Sequence, residues 1–455
     1  MRDPRLLRVT GYAAAAAMGG FLFGYDSAVI NGAIHGIETR FPANPGVTGF
    51  VVAADLPGAA VGAAVAGQIA DRIGRLGAQR VAGVLFAVTA IGSALPFTVW
   101  DLAAWRMAGG VAIGMASVIA PTYIAEVSPA AYRGRLASLQ QLAIVLGIVV
   151  SQLVNYVLAA VGDGSAGTIG PLHTWQWMFL VNLLPAAVYL LLSTVMPESP
   201  RYLVRAGRDD AARAILDRIE GGDTAAHVAR IKEALGQRKA RLSDLRGPRF
   251  LLPVVWTGIT LCAFQQLCGI NVIFYYSATL WQSVGVEESG SLLLSLFTSV
   301  INLIGTFVAI SLVDRLGRRP LLMTGSLGMA VALATTAYAF THTVGGVLPF
   351  GWGLTALVGA SVFVLFYALS WGAIVWVLLG EMFPLRIRAA AMGVATATQW
   401  LANWLVTLTF PSLSAWSLPG TYLMYAAFAA LSFVFVRRRI AETKGRTLEA
   451  ISGAA

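Results

Sequence analysis

Twelve apolar runs, each about twenty residues long or longer, fill most of the 455 positions, with short polar stretches between them. About 20 residues cross a hydrocarbon core as a helix, whereas a tilted strand needs only about 10. Runs of this length therefore specify an all-α membrane protein. The spans fall near 9–34, 48–70, 79–99, 101–125, 138–161, 176–196, 250–283, 289–313, 320–341, 350–380, 389–411 and 417–436. Hydrophobic residues make up 57% of the chain and charged ones 12%, which excludes an ordinary soluble domain and leaves the lipid bilayer as the partner of the outer surface. The 48 glycines and 18 prolines suit close helix packing and broken helices. The first run continues through Ile34 and eleven more follow, so it reads as a retained span rather than a cleaved signal peptide.

Basic residues set the orientation. The N-terminus, the alternate connections 71–80, 126–135, 200–249, 314–319 and 381–388, and the tail hold every Lys and Arg except Arg40 and Arg106. Both termini are thus expected in the cytoplasm. The formal net charge of +10 follows from these cytoplasmic segments, so no nucleic-acid partner is expected. Cys262 and Cys268, both in one apolar segment, read as packing residues. His35, His173, His227 and His342 read as scattered loop residues, so neither a metal nor a cofactor is expected.

The chain also repeats itself. Asp71-Arg72-Ile73-Gly74-Arg75 after the second span recurs as Asp314-Arg315-Leu316-Gly317-Arg318 after the eighth. Glu126 stands seven residues before Arg133, as Glu381 stands seven before Arg388, and Pro197-Glu198-Ser199 is echoed by Ala441-Glu442-Thr443. Offsets of about 245 residues imply two six-helix halves related by an axis along the membrane normal. The expected organisation is an N-terminal bundle 1–199, a cytoplasmic helical linker 200–249, a C-terminal bundle 250–436 and a cytoplasmic tail 437–455. In the linker, Ala211, Ala214, Ile215 and Ile219 recur at helical spacing.

Charges and amides inside the spans carry the functional argument. Asp26 lies within the first apolar run, where a carboxylate costs roughly 2.5–3.5 kcal/mol on insertion scales, so it marks a cavity, a partner charge or a proton path. Arg106, in the fourth span, shares a stripe with Gly110 and Gly114 and should face packed protein. A structural ion pair or a snorkelling side chain is the alternative for it. Asp55, in the second span, is read as a packing residue or an additional titrating group. The seventh span carries Gln265, Gln266 and Asn271, then Tyr275 and Tyr276. On a continuous helix Gln266 and Asn271 stand about 140° apart, so they share a site only if Gly269 permits a break or they flank one cavity. Neutral amides that donate and accept suit the vicinal hydroxyls of a sugar. Gln141, Asn302, Gln399 and Asn403 extend such a surface, with Trp371, Trp376 and Trp400 as flat walls. Taken singly, each amide reads as an interhelical hydrogen bond and each Trp as core filler. The acids and arginines Asp71, Arg72, Arg75, Glu126, Arg133, Asp314, Arg315, Arg318, Glu381 and Arg388 are expected to form a cytoplasmic charge network, bonding between the two halves when the cytoplasmic side is shut. Ala389 after Arg388, where Gly134 follows Arg133, predicts a looser second network.

Together these motifs resemble a known family. The paired Asp-Arg-x-Gly-Arg loops resemble the signature of the major facilitator superfamily. Pro197-Glu198-Ser199-Pro200-Arg201 and Glu442-Thr443-Lys444-Gly445 resemble its sugar porter branch, as do Gly24-Tyr25-Asp26, Gln265 to Asn271 and Ser370-Trp371-Gly372. The resemblance covers nearly the whole chain and is to bacterial proton-coupled sugar symporters. It implies that Asp26 and Arg106 couple the proton. It further implies that Gln141, Gln265, Gln266, Asn271, Asn302, Trp371, Gln399 and Trp400 bind sugar, that Phe23, Ile148, Phe274, Trp376 and Asn403 wall the pocket, and that Tyr275 and Tyr276 form an extracellular gate. Xylose-specific relatives carry Gln and Leu where this chain has Ile148 and Phe274, which implies a drier, glucose-type pocket.

The expected function is import of a hexose, glucose, with a proton across a bacterial inner membrane by a monomer. A facilitative hexose carrier with a structural Asp26 is the nearest alternative. A transporter-like sugar sensor would carry a long signalling tail, whereas about twenty residues follow the last span. No nucleophile, base and orienting group stand together as an enzyme would need.

Overall fold

The computed structural model describes residues 4–129, 132–219, 221, 223–236, 242–247, 250–384 and 387–442. Among them, ten stretches are long and apolar enough to cross a membrane. Two of the ten, Pro45–Ala94 and Ala390–Arg439, run to 50 residues each. At 1.5 Å per residue that is about 75 Å, more than twice a hydrocarbon core of about 30 Å. The first breaks at Gly74 and the second at Ser417, so ten stretches supply the twelve expected passes. This is a multi-pass, all-α membrane protein.

The elements run α1 (Pro4–Arg40), α2 (Pro45–Ala53), α3 (Asp55–Ala94), α4 (Val99–Val127), α5 (Arg133–Gly162), α6 (Thr174–Leu180) and α7 (Leu183–Val195), then the linker helices α8 (Pro200–Arg205), α9 (Asp209–Ile219) and α10 (Thr224–Gly236). After them come α11 (Pro253–Leu267), α12 (Ile270–Tyr275), α13 (Ser277–Ser283), α14 (Glu288–Leu316), α15 (Arg318–Phe340) and α16 (Phe350–Tyr367). A π turn, Ala368–Gly372, leads into α17 (Ala373–Met382), and α18 (Arg388–Arg439) closes the chain. Two strands of two residues, β1 (Thr168–Ile169) and β2 (Leu172–His173), pair antiparallel before α6. They are too short for a hydropathy pattern to reveal.

Four expected spans are interrupted, the second span at Ala54 between α2 and α3. The sixth divides at 181–182, the seventh into α11, α12 and α13, and the tenth passes through the π turn. Each interruption releases backbone groups that a membrane interior cannot hydrate, so neighbouring side chains must take them. The histidine reading needs correction too. His35 lies on α1, which continues six residues past its expected end at 34, and His227 lies on α10.

By backbone proximity the chain falls into two compact units. One comprises Met1–Ser27, Pro57–Ser151 and Gln176–Lys239; the other comprises Ala28–Leu56, Gln152–Trp175 and Ala240–Ala455. In the first unit the linker helices are not merely a charged surface. Leu203, Val204, Ala212, Leu216, Ile219 and Val228 pack into one cluster with Val9, Ala13, Tyr123, Ile124, Val127 and Leu136. Burying a Leu or Ile side chain stabilises by roughly 1.5–3 kcal/mol, which fixes α8 to α10 on the ends of α1, α4 and α5. Ala214, expected on the apolar stripe, is exposed; the buried face is centred on Ala212, Leu216 and Ile219. Exposed apolar side chains such as Leu191, Val195, Phe297 and Ile304 lie on the spans, where lipid is their solvent.

Candidate functional site

Asp26 is buried on α1 in the first unit. Its Oδ1 accepts a hydrogen bond from Asn182 Nδ2 at 3.0 Å, and Arg106, buried on α4, lies close enough for its charge to act on the carboxylate. Asp26 Oδ2 points towards Gly109, one helical step from Arg106; a Cβ added at Gly109 would stand 3.5 Å from it. Gly110 and Gly114 are buried with Arg106, as expected for a stripe facing protein. The neighbouring Tyr25 donates its hydroxyl to Met178 O at 3.1 Å, and Gly24 sits so near Ile144 O that α1 and α5 touch backbone to backbone. Asn182 escapes sequence reasoning. It stands at the interruption of the sixth span and makes no capping bond of its own, which leaves its amide for Asp26; Pro185, three residues on, is the only local signal of the break.

Asp55 is wholly buried at the step between α2 and α3. Phe23, Gln141 and Ile148 are half-buried in the first unit. The remaining amides expected to bind sugar lie in the second.

The seventh span is where the second unit departs most from regular helix. Gly269 takes φ +82°, in the left-handed region that a side chain would strain, and a Cβ there would also come within 2.6 Å of the Tyr425 ring. The turn brings Asn271 Nδ2 to 2.6 Å from Gln266 Oε1, which resolves the angular conflict of a continuous helix. Gln265 Nε2 donates to Trp371 O at 2.9 Å, reaching the π turn. The Trp371 ring is fully buried, and its indole N–H donates to Ser326 Oγ at 3.0 Å. Tyr367, at the foot of the same turn and beside Gln265, is a further polar group that sequence reasoning did not single out. Asn302 and Asn403 are buried, the latter accepting from Thr407 Oγ1 at 3.1 Å, while Gln399 and Trp400 are half-buried on α18. Trp376 is exposed on α17. Cys262 and Cys268 are both buried.

A second break, at Tyr276, frees the last carbonyls of α12 and the first amides of α13. Side chains from the first and fifth spans take them. Asn31 Oδ1 accepts from Ala278 N at 2.9 Å, Asn31 Nδ2 donates to Gln152 Oε1 at 3.0 Å, and Gln152 Nε2 donates to Phe274 O at 3.2 Å. This bridge lies entirely within the second unit. Tyr276 adds a bond from its hydroxyl to Thr407 O at 2.9 Å, and Tyr275 is buried beside it. Neither Asn31 nor Gln152 stood out in sequence, because a lone amide in an apolar run reads as generic packing.

The repeated loops hold matching charge clusters. Arg75 binds both carboxylate oxygens of Glu126, each at 2.8 Å, and Asp71 pairs with Arg75 at 3.5 Å and with Arg205. Glu198 accepts from Arg75 N at 3.0 Å and Leu76 N at 3.1 Å. In the second copy Arg318 binds Glu381 at 2.9 Å, while Glu442 accepts from Arg318 N at 3.1 Å and Arg319 N at 3.0 Å. Gly74 and Gly317, at φ +87° and +92°, turn the chain so that these amides face the carboxylate at a helix start. Glu198 and Glu442 are thus members that the expected network lacked. The bonds named here run within each copy. Arg388 donates to Phe383 O at 3.2 Å, Arg72 and Arg315 are exposed, and the side chains of Arg133 and Asp314, like Thr443-Lys444-Gly445, lie outside the described residues.

Comparison with known proteins supplies the family. The model of the family described as sugar (and other) transporter matches residues 12–454. A glucose transport protein of Synechocystis sp. is 49% identical over 443 residues, covering 95% of both chains. A D-xylose-proton symporter of Escherichia coli K12 is 36% identical, covering 95% of this chain and 93% of its own. The inward open structure of the xylose transporter XylE from E. coli superposes with a TM-score of 0.84 at 34% identity, covering 98% of this chain and 99% of that one. With a matching family model along nearly the whole sequence and a shared fold throughout, this chain belongs to the sugar transporter family of the major facilitator superfamily.

Proposed function

We propose that this protein imports a hexose, glucose, together with a proton, as a monomer in the inner membrane of a bacterium with both termini in the cytoplasm. The observation that carries the reading is a property of α1. Asp26, held by Asn182 and acted on by Arg106, lies five residues from Asn31, which takes the freed amide of Ala278. One helix thereby carries both a buried titratable group and a contact with the broken seventh span. Protonation of Asp26 weakens its attraction to Arg106, and a movement of α1 that follows is carried to Asn31, about 7.5 Å further along the helix axis, and through it to Ala278.

Under this reading the halves 1–199 and 250–436 rock about a midplane site. Gln265, Gln266, Asn271, Asn302, Gln399 and Asn403 offer the sugar neutral donors and acceptors. Asn31, Gln152 and Tyr276 close the extracellular side, and the clusters around Arg75 and Arg318 keep the cytoplasmic helix ends rigid as each half moves. The similarity to a glucose transport protein and to a D-xylose-proton symporter supports sugar as cargo and the proton as coupling ion. A proton moving through 100 mV contributes about 2.3 kcal/mol, enough for more than a tenfold sugar gradient. Uptake of labelled glucose into proteoliposomes, with and without a pH gradient, tests the proposal: concentrative uptake only with the gradient supports it, and mere equilibration points to a facilitative carrier.

A further inference from the structure

Pro42 and Ala43, between α1 and α2, border an open cavity of about 400 Å³ flanked by α13 and the middle of α18. Among the described residues its walls all belong to the second unit, and its only charged group is Glu38, near the end of α1. Glu38 is half-buried, its Oε1 accepts from Thr48 Oγ1 at 2.8 Å, and no basic side chain pairs with it among the described residues. A carboxylate partly withdrawn from water without a counter-charge favours a cation beside it. The Tyr276 and Phe410 rings, 5.0 Å apart and tilted by 40°, form one wall, and aromatic faces attract cations too.

Three of the four hydroxyls that line the cavity are already engaged, and only that of Thr279 is left. Tyr276 donates to Thr407 O, Ser414 donates to Pro411 O, and Thr48 donates to Glu38. A ligand here finds one strong acceptor, aromatic faces and proline rings, with few free donors. We propose that the cavity binds a small organic ammonium, with Glu38 as counter-charge and the Tyr276 and Phe410 rings against its apolar body. Because the end of α1 and the following loop form one side and α13 and α18 the other, an occupant ties these elements together and slows their separation. Placement of the cavity on the extracellular face rests on the transport reading above; the binding chemistry does not.

The test uses purified full-length protein and a matched pair of probes, 2-phenylethylammonium and 2-phenylethanol, followed by ligand-observed NMR. The ammonium should bind about tenfold more tightly than the alcohol. Glu38→Gln should erase that preference, and Thr279→Trp, which fills the cavity but keeps Glu38, should remove binding of both probes. The second variant keeps the test readable if the first fails to fold. Excess glucose should not compete with the ammonium for the cavity, so any change it makes in ammonium affinity should level off once glucose saturates its own site. Equal affinity for the two probes, a preference that survives Glu38→Gln, or competitive displacement by glucose overturns the site. Glucose uptake that proves uncoupled from protons would leave ammonium binding intact, so the two readings fail separately.

Discussion

Asn271 donates its side-chain amide to Gln266 Oε1 at 2.6 Å across a break in a single membrane span. Five residues apart on an unbroken helix, the two would point about 140° away from each other. The pair therefore exists because Gly269 turns the chain, and the same turn leaves Asn271 Oδ1 as an acceptor and Gln266 Nε2 as a donor for a ligand.

Gln266→Ala removes one partner of the sugar and leaves Asn271 without its own. Affinity for glucose should fall by roughly 1–3 kcal/mol while the protein still folds. Equilibrium binding to purified protein measures this, and a double-mutant cycle with Asn271→Ala should show strong non-additivity, because the two side chains act as one surface. Unchanged binding in Gln266→Ala places the sugar elsewhere.

Gly269→Ala tests the turn itself. At φ +82° a side chain costs of order 1–3 kcal/mol, and here it also meets the Tyr425 ring. Thermal unfolding in detergent should shift downwards, and glucose affinity should drop with it as Asn271 leaves Gln266. A variant with wild-type melting and wild-type affinity contradicts the geometric account.

Asn31→Ala leaves the Ala278 amide without its acceptor at the start of α13, where no intrahelical partner exists. The cost of roughly 1–3 kcal/mol falls on the state in which this bridge is made. The balance should move towards the extracellular-open state, lowering the half-saturation concentration for external glucose relative to internal glucose. Zero-trans influx and efflux in oriented proteoliposomes read that ratio; no change in it would remove the bridge from the gating cycle.

The sequence makes some of this legible and hides the rest, for physical reasons. Span number and repeat are local properties. Hydropathy over about 20 residues and two copies of Asp-Arg-x-Gly-Arg are sufficient for both. The break at Gly269 could be anticipated from the angle between Gln266 and Asn271. By contrast, Asn182, Asn31 and Gln152 acquire meaning only through partners 121 to 247 positions away in the chain. Nothing near an isolated amide in an apolar run says which distant backbone group it will satisfy. The destination of the loop charges was equally hidden: acids at fixed spacing show that pairs form, but only the fold shows that Arg75 with Glu126 and Arg318 with Glu381 pair within each copy.

Ile148 and Phe274 make the proposed pocket drier than one lined by amides. Glucose should compete for the site better than xylose does, because the extra hydroxymethyl group has apolar and aromatic surface to meet while the smaller pentose leaves space unfilled. Displacement of labelled glucose by each sugar gives the order directly. Tighter binding of xylose would show that these two side chains do not set the preference.

Coupling through Asp26 is the central claim, and Asp26→Asn tests it most directly. The amide imitates the protonated acid permanently. Glucose binding and glucose-for-glucose exchange should survive, because neither requires net release of a proton. Arg106→Ala should also impair coupling, though less cleanly, since a buried carboxylate that loses its cation takes up a proton more readily. The decisive measurement is the accumulation ratio of labelled glucose in proteoliposomes under an imposed pH gradient. The account predicts a ratio of one for Asp26→Asn and well above one for the wild type; an Asp26→Asn protein that still concentrates glucose contradicts it and directs attention to Asp55.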